Sequence, residues 1–193
     1  MAHMVTVPVY VLAGGRSLRF GGDKALAEIG GRTLIQHVTN QWAACASRIV
    51  AVADHAGKYE SVGMRTIADR QPGLGPIGGL LTSLEDCREG WLLMTACDVI
   101  VLDPELPGRL LSEISDDVKA IAVRGPHWET MPALYHSSIL TMLRPSIAEG
   151  QRALWKVIEK VPHRAIDYAE TRSLLAQINT RDDLQRFITA NRK

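Results

Sequence analysis

Between Val9 and Leu26 the chain reads VYVLAGGRSLRFGGDKAL: an apolar run opens into glycines, arginines and an Asp-Lys pair before apolar character returns. Glycine has the most backbone entropy to lose on ordering, so four glycines among the nine residues from Gly14 to Gly22 are a costly way to build an ordinary surface loop. Small residues let backbone N–H groups face an anion, and Arg16, Arg19 and Lys24 bring side-chain charge to the same neighbourhood. Arginine holds phosphate oxygens bidentately and lysine supplies a compact, mobile charge, so a polyphosphate fits this loop. A glycine hinge carrying solvated charges is the plain structural alternative. The stretch matches neither GxGxxG nor GxxxxGK[ST].

The rest of the chain alternates apolar runs with helical periodicity. Strands are predicted over 7–13, 48–54, 65–69 and 91–98, and helices over 33–45, 56–62 and 75–87. Because these strands are apolar throughout, they predict a parallel, doubly wound sheet covered on both faces. The expected fold class is α/β, a Rossmann-like three-layer sandwich with a mostly parallel central sheet. After Asp98 come a helix over 103–114 with Pro104 in its first turn, strands over 119–123 and 131–136, and helices over 138–148 and 152–160. Strands over 163–169 and 174–180 and a closing helix over 181–193 follow. Thr180 and Asp183 have capping-box spacing, and His37, Trp42 and Trp155 are assigned to the core.

With 193 residues, 46% of them hydrophobic, the chain can close one core, so residues 1–193 are expected to form a single domain. Its 22 basic and 21 acidic residues leave a net charge of +1, too little for a global field that recruits nucleic acid or an anionic membrane. Cys45, Cys87 and Cys97 suit neither a disulfide framework nor a zinc site, and fit a reducing cytosol. Neither a signal-peptide core nor a membrane-spanning apolar run is present, so a cytoplasmic location is expected.

Open α/β sheets bind ligands beyond the carboxyl ends of their strands. The glycine stretch, Asp69, Asp98 and the residues after Ile178 all fall where such an edge is predicted. Singly, Gly14 and Gly15 fit a tight turn, and Asp69 or Asp98 fits a helix cap or a strand end. The run PGLGPIGGLLTSL sets Gly73, Gly75, Gly78 and Gly79 around Pro72 and Pro76. It reads as a rigid turn opening into a helix whose amino end favours phosphate or ribose oxygens, or as a turn with a close helix contact.

Taken together, LAGGRSLRFGGDKAL, DRQPGLGPIGGLLTSL, ACD, GQRALWKVI and INTRDDL occur in the order found in a known family and span nearly the whole chain. They resemble the nucleotidyltransferases that activate a phosphate-bearing acceptor, and within these the molybdenum cofactor guanylyltransferases, which join GMP to molybdopterin. The resemblance implies GTP and molybdopterin (or molybdenum cofactor) as substrates, Mg2+ as cofactor, and transient contact with cofactor-insertion proteins, with no nucleic acid or membrane partner. Residues 1–98 would mainly bind nucleotide and 99–193 acceptor, in a monomer or weak homodimer. It places the nucleotide at Leu12, Ala13, Gly14, Gly15 and Asp69, triphosphate contacts at Arg16 and Lys24, and the metal on Asp98. Arg16, Lys24 and Asp98 would then form the catalytic set, with Arg152 toward acceptor phosphate and Asn179 ordering a bound group. This chain departs from the family pattern at CDVIVLDP, which lacks an early proline, at Met131 where a histidine commonly precedes Pro132, and at Val52 where a polar residue is usual. Cytidylyl transfer, sugar-1-phosphate nucleotidylyl transfer and a noncatalytic nucleotide-binding role are the alternatives.

Overall fold

The computed structural model of the protein describes residues 5–14, 20–167 and 175–190. In chain order its strands are β1 (Val7–Leu12), β2 (Glu28–Ile29), β3 (Arg32–Thr33), β4 (Ala46–Ala53), β5 (Thr66–Ala68), β6 (Trp91–Ala96), β7 (Val99–Val101), β8 (Ala120–Arg124), β9 (Trp128–His136), β10 (His163–Asp167) and β11 (Leu175–Gln177). The α-helices are α1 (Leu34–Trp42), α2 (Pro76–Cys87), α3 (Leu106–Ser112), α4 (Leu140–Ala148), α5 (Leu154–Glu159) and α6 (Arg181–Ala190). None of these helices is long and apolar enough to cross a membrane.

Seven strands make the central sheet, in the order β10-β8-β9-β6-β1-β4-β5. Alternation along β1 feeds two cores: Val7, Val9 and Val11 pack with α1 on one face, while Tyr10 packs with α2 on the other. α1 buries Leu34, Ile35, Val38 and Trp42, a single helical face. α3 and α6 join it on that side, and α4 and α5 join α2 on the opposite side, completing three layers. Because both faces are covered, the central strands carry apolar residues at successive positions.

One strand breaks the parallel pattern. β9 runs antiparallel to both β6 and β8. Only residues 125–127 separate β8 from β9, and a parallel crossover needs a dozen residues or more, so a hairpin is the available connection. β9 also bulges: Ala133 lies opposite Ala122 but Glu129 lies opposite Val123, leaving Thr130, Met131 and Pro132 without counterparts. Pro132 lacks an N–H and suits that place. The buried Tyr135 hydroxyl donates to the Thr130 carbonyl at 2.9 Å and pins the bulge.

Other expectations are corrected. Residues 56–62 form turns and one 3-10 turn (Glu60–Val62), since Gly57 and Gly63 both take φ of 78°. α3 starts at Leu106 with Pro107 in its first turn; the Asp103 carboxylate accepts from the Glu105 N–H at 2.9 Å and holds Pro104 in a preceding turn. β11 pairs antiparallel with β7 in a separate ribbon outside the central sheet. Trp155 is 44% exposed, because α5 buries the face of Leu154, Val157 and Ile158 and leaves Trp155 a quarter-turn away. Trp42 is fully buried as expected, and His37 is half-buried with Nε2 2.7 Å from the Ile29 carbonyl.

The sheet's winding sets up the site. From β1 the chain passes through α1 on one face to β4, and it returns through α2 on the other face to β6, on the opposite side of β1. Leu12 lies opposite Val52 and Ala96, and Ala53 opposite Ala68. Four strands therefore end in one row at a topological switch point.

Candidate nucleotide site

A cleft of about 900 Å3 opens beyond that row, toward the upper part of the roughly 300–1,000 Å3 range of small-molecule sites. Its walls include Leu12, Ala13, Gly14, Lys24, Asp69 and Asp98, so six of the expected site residues share one cavity. Gly15, Arg16 and Arg19 lie outside the described residues.

Lys24 and Asp98 meet directly: the ammonium donates to the Asp98 carboxylate at 2.6 Å, with side chains 14% and 22% exposed. Two devices place them. The Asp23 carboxylate accepts from the Ala25 N–H at 3.0 Å and starts a 3-10 turn at Lys24. The apolar strand β6 delivers Asp98 to the sheet edge, and its carbonyl accepts from the Ile178 N–H at 2.9 Å. The INT segment thus braces Asp98 from behind.

Asp69 is locked in place as well. Its Oδ1 accepts from the Gln71 N–H at 2.9 Å and from the hydroxyl of buried Thr82 at 3.0 Å, while Thr82 accepts from the Arg70 N–H at 3.0 Å. Ala13 commits its N–H to the Val52 carbonyl at 2.9 Å, so that donor is not free to face the cleft. Gly14 runs close to the β4 end: a Cβ there would be in ordinary van der Waals contact, 3.5 Å from the Ala53 backbone.

Arg152 and Asn179 do not line the cleft. Arg152 donates to the carbonyls of Ile147 (3.2 Å) and Gln151 (2.9 Å), which tie down the end of α4. The Asn179 N–H bonds Asp183 at 3.0 Å, and Thr180 and Asp183 form the reciprocal capping box at 2.8 and 3.1 Å.

The structure adds residues that local spacing did not mark. Lys58 lies in the cleft wall and bridges Asp54 at 2.8 Å and Asp23 at 3.1 Å. Burial alone would lower its pKa, but hydrogen bonds to the two carboxylates raise it; the hydrogen bond to Lys58 holds Asp54 low. Buried Tyr59 reaches both Ala13 and Asp23, and burial first, then the Asp23 charge, push its pKa up. Both residues sit in the segment expected to be helical, and neither has a motif around it. Cys97 lines the cleft too, and its thiol is pushed up to about 12 by burial and then by the Asp98 charge. It stays a protonated thiol at neutral pH.

A doubly wound sheet with a glycine-flanked, cation-bearing cleft at its switch point has the build of a nucleotidyltransferase. The chain belongs to the family described as the MobA-like NTP transferase domain, whose model matches residues 9–166. It is 30% identical over 177 residues to the molybdenum cofactor guanylyltransferase of Pseudomonas entomophila, covering 89% of this chain and 93% of that one. It is 29% identical over 181 residues to the enzyme of that name from Pseudomonas putida, covering 92% and 95%. The crystal structure of molybdopterin-guanine dinucleotide biosynthesis protein A from Archaeoglobus fulgidus superposes with a TM-score of 0.77 at 24% identity, covering 95% and 98%, and bears on the fold alone.

Proposed function

We propose that the protein transfers GMP from GTP to the terminal phosphate of molybdopterin, in the cytoplasm, with release of pyrophosphate. The observation that carries the reading is the Lys24–Asp98 pair in the cleft at the switch point; the names of the relatives supply the base and the acceptor. In this reaction an acceptor phosphate oxygen forms a bond to the α-phosphorus as the α–β bridging bond breaks. The acceptor is already an anionic nucleophile, so the protein contributes alignment and charge. Lys24 turns from Asp98 to the phosphates and offsets charge on the departing pyrophosphate, with Arg16 in the same role. The protonated Cys97 thiol is unsuited to covalent catalysis.

Among the described residues no three His, Cys, Asp or Glu side chains cluster as a metal cage. A single hard carboxylate that already holds a cation fits Mg2+, which keeps waters and takes substrate phosphates as its other ligands. Asp98 would hold it, and Mg2+ bound there would neutralise phosphate oxygens. Residues 99–193 supply the acceptor side, and cofactor-insertion proteins receive the product transiently.

A nucleotide-by-acceptor matrix tests the proposal: GTP and CTP against molybdopterin and sugar-1-phosphates, with Mg2+, scored by pyrophosphate release. Fastest release with GTP and molybdopterin is expected. A CTP preference overturns the base assignment, and nucleotide binding without turnover on any acceptor overturns transfer.

A further inference from the structure

Tyr59 lies in the connection between β4 and β5 and is wholly buried. Its hydroxyl oxygen stands 2.9 Å from the Ala13 carbonyl and 3.1 and 3.3 Å from the two Asp23 carboxylate oxygens. Ala13 immediately precedes the glycine stretch, and Asp23 immediately precedes Lys24. A separation of ten residues allows an extended span of roughly 30 Å or more. Here both ends meet at one phenol. The rest of the Asp23 carboxylate is engaged by the Ala25 N–H at 3.0 Å, which starts the turn carrying Lys24, and by Lys58 at 3.1 Å.

We propose that Tyr59 is a positioning residue: its hydroxyl ties the two ends of the glycine stretch together and so holds Lys24 where the triphosphate must lie. The inference rests on the nucleotide-transfer reading above. Fixing Asp23, and with it the turn that carries Lys24, before the ligand arrives removes that ordering cost from the binding step. A hydroxyl has one hydrogen to donate, so carbonyl and carboxylate share it, and removing the oxygen releases both ends at once. Tyr10 supplies an internal comparison. It is equally buried and hydrogen-bonded, to Asp86 at 2.7 Å and from Arg48 at 2.7 Å, but it is not in the cleft wall.

The test measures Mg2+-GTP binding by calorimetry, steady-state kinetics and Tm for wild type, Tyr59→Phe and Tyr10→Phe, and repeats Tyr59→Phe in a Lys24→Ala background. Tyr59→Phe should weaken GTP binding about tenfold, the effect of one lost hydrogen bond to a charged group, with a smaller fall in kcat at saturating GTP. Tyr10→Phe should lower Tm yet leave GTP affinity within about twofold. In the Lys24→Ala background the Tyr59 effect should shrink below about threefold, because the two act as one unit. If Tyr59→Phe is insoluble, Asp23→Ala removes the other partner, 25% exposed, and should weaken GTP binding by more than about tenfold, because the cap on the Lys24 turn goes with it; unchanged GTP affinity in that variant overturns the inference. Wild-type GTP affinity in Tyr59→Phe, or equal weakening in Tyr10→Phe, overturns the inference. Absence of GTP binding by wild type overturns the transfer reading, and this inference with it.

Discussion

Lys24 and Asp98 are 74 positions apart in the chain and 2.6 Å apart in the cleft. One follows the glycine stretch, the other ends β6, and each is the other's partner. The pair keeps a positive and a negative group together in the cleft wall, and the proposed transfer would use one for the triphosphate and the other for Mg2+.

Asp98→Asn keeps the volume and removes the anion. Mg2+-dependent transfer should fall by about 100-fold or more, corresponding to roughly 3 kcal/mol at the transition state, and a matched Mg2+ titration measures it. Lys24→Ala should likewise reduce turnover more than it lowers stability. Pair members act together, so the double variant should lose less stability than the sum of the two singles. Equal kcat and equal Mg2+ dependence in Asp98→Asn would reject the metal role.

Gly78 and Gly79, neighbours on α2, should respond differently to alanine. A Cβ on Gly78 would lie 2.8 Å from the Gln71 backbone carbonyl and 3.0 Å from Leu74 Cβ, and backbone cannot step aside cheaply. Gly78→Ala should destabilise by about 1–3 kcal/mol in denaturant unfolding. On Gly79 the Cβ would meet both methyls of Leu12, Cδ2 at 2.7 Å and Cδ1 at 2.8 Å, so a side chain rather than backbone has to shift. A gain in helix propensity of about 1 kcal/mol offsets its displacement. Gly79→Ala should leave stability within about 1 kcal/mol of wild type and raise the KM for nucleotide, since Leu12 lines the cleft.

Met131 is the one residue beyond Asp98 among those described that reaches the cleft wall, carried there by the bulge in β9. Met131→Ala should raise the acceptor KM severalfold and hold the nucleotide Kd within about twofold, the pattern of a contact made by acceptor alone. Equal loss in both would move Met131 into the nucleotide pocket.

Glu85 on α2 pairs with Arg70 and Arg144, both at 2.9 Å. Burial pushes its pKa up, but the two guanidinium groups pull it down by more, so the folded value lies below the ordinary one. Stability from this group is therefore present above the unfolded carboxylate pKa, about 4.3, and lost as pH falls through the folded value. Wild type should exceed Glu85→Gln by about 1 kcal/mol or less at pH 7. Urea unfolding at several pH values should show the gap closing in acid, and a gap that widens there would refute the pairing.

Much of the fold was legible because its signals are local. Apolar runs too uniform for a half-exposed sheet announced a covered one, and the Thr180–Asp183 spacing announced its cap, since each needs only near neighbours. Gly57 and Gly63 were local signals too, and they outweighed the helical reading of 56–62. Asp69, Lys24 and Asp98 were marked by motif, and the cleft contains all three. Trp155 departs from the core expectation because one aromatic on a short helix does not show which face the sheet will cover.

The order of residues decided that strands would alternate with helices, that glycine and charge would follow the first strand, and that a carboxylate would end the fourth run. These depend on backbone entropy and on the period of burial, both set within a few residues. Tertiary structure alone decided that β9 would reverse and bulge, that Met131 would enter the cleft, that Tyr59 would reach Ala13 and Asp23, and that Lys24 would face Asp98. Each of those distances joins segments far apart in the chain, and it exists only when helices close on both faces of the sheet and bring the strand ends into one row.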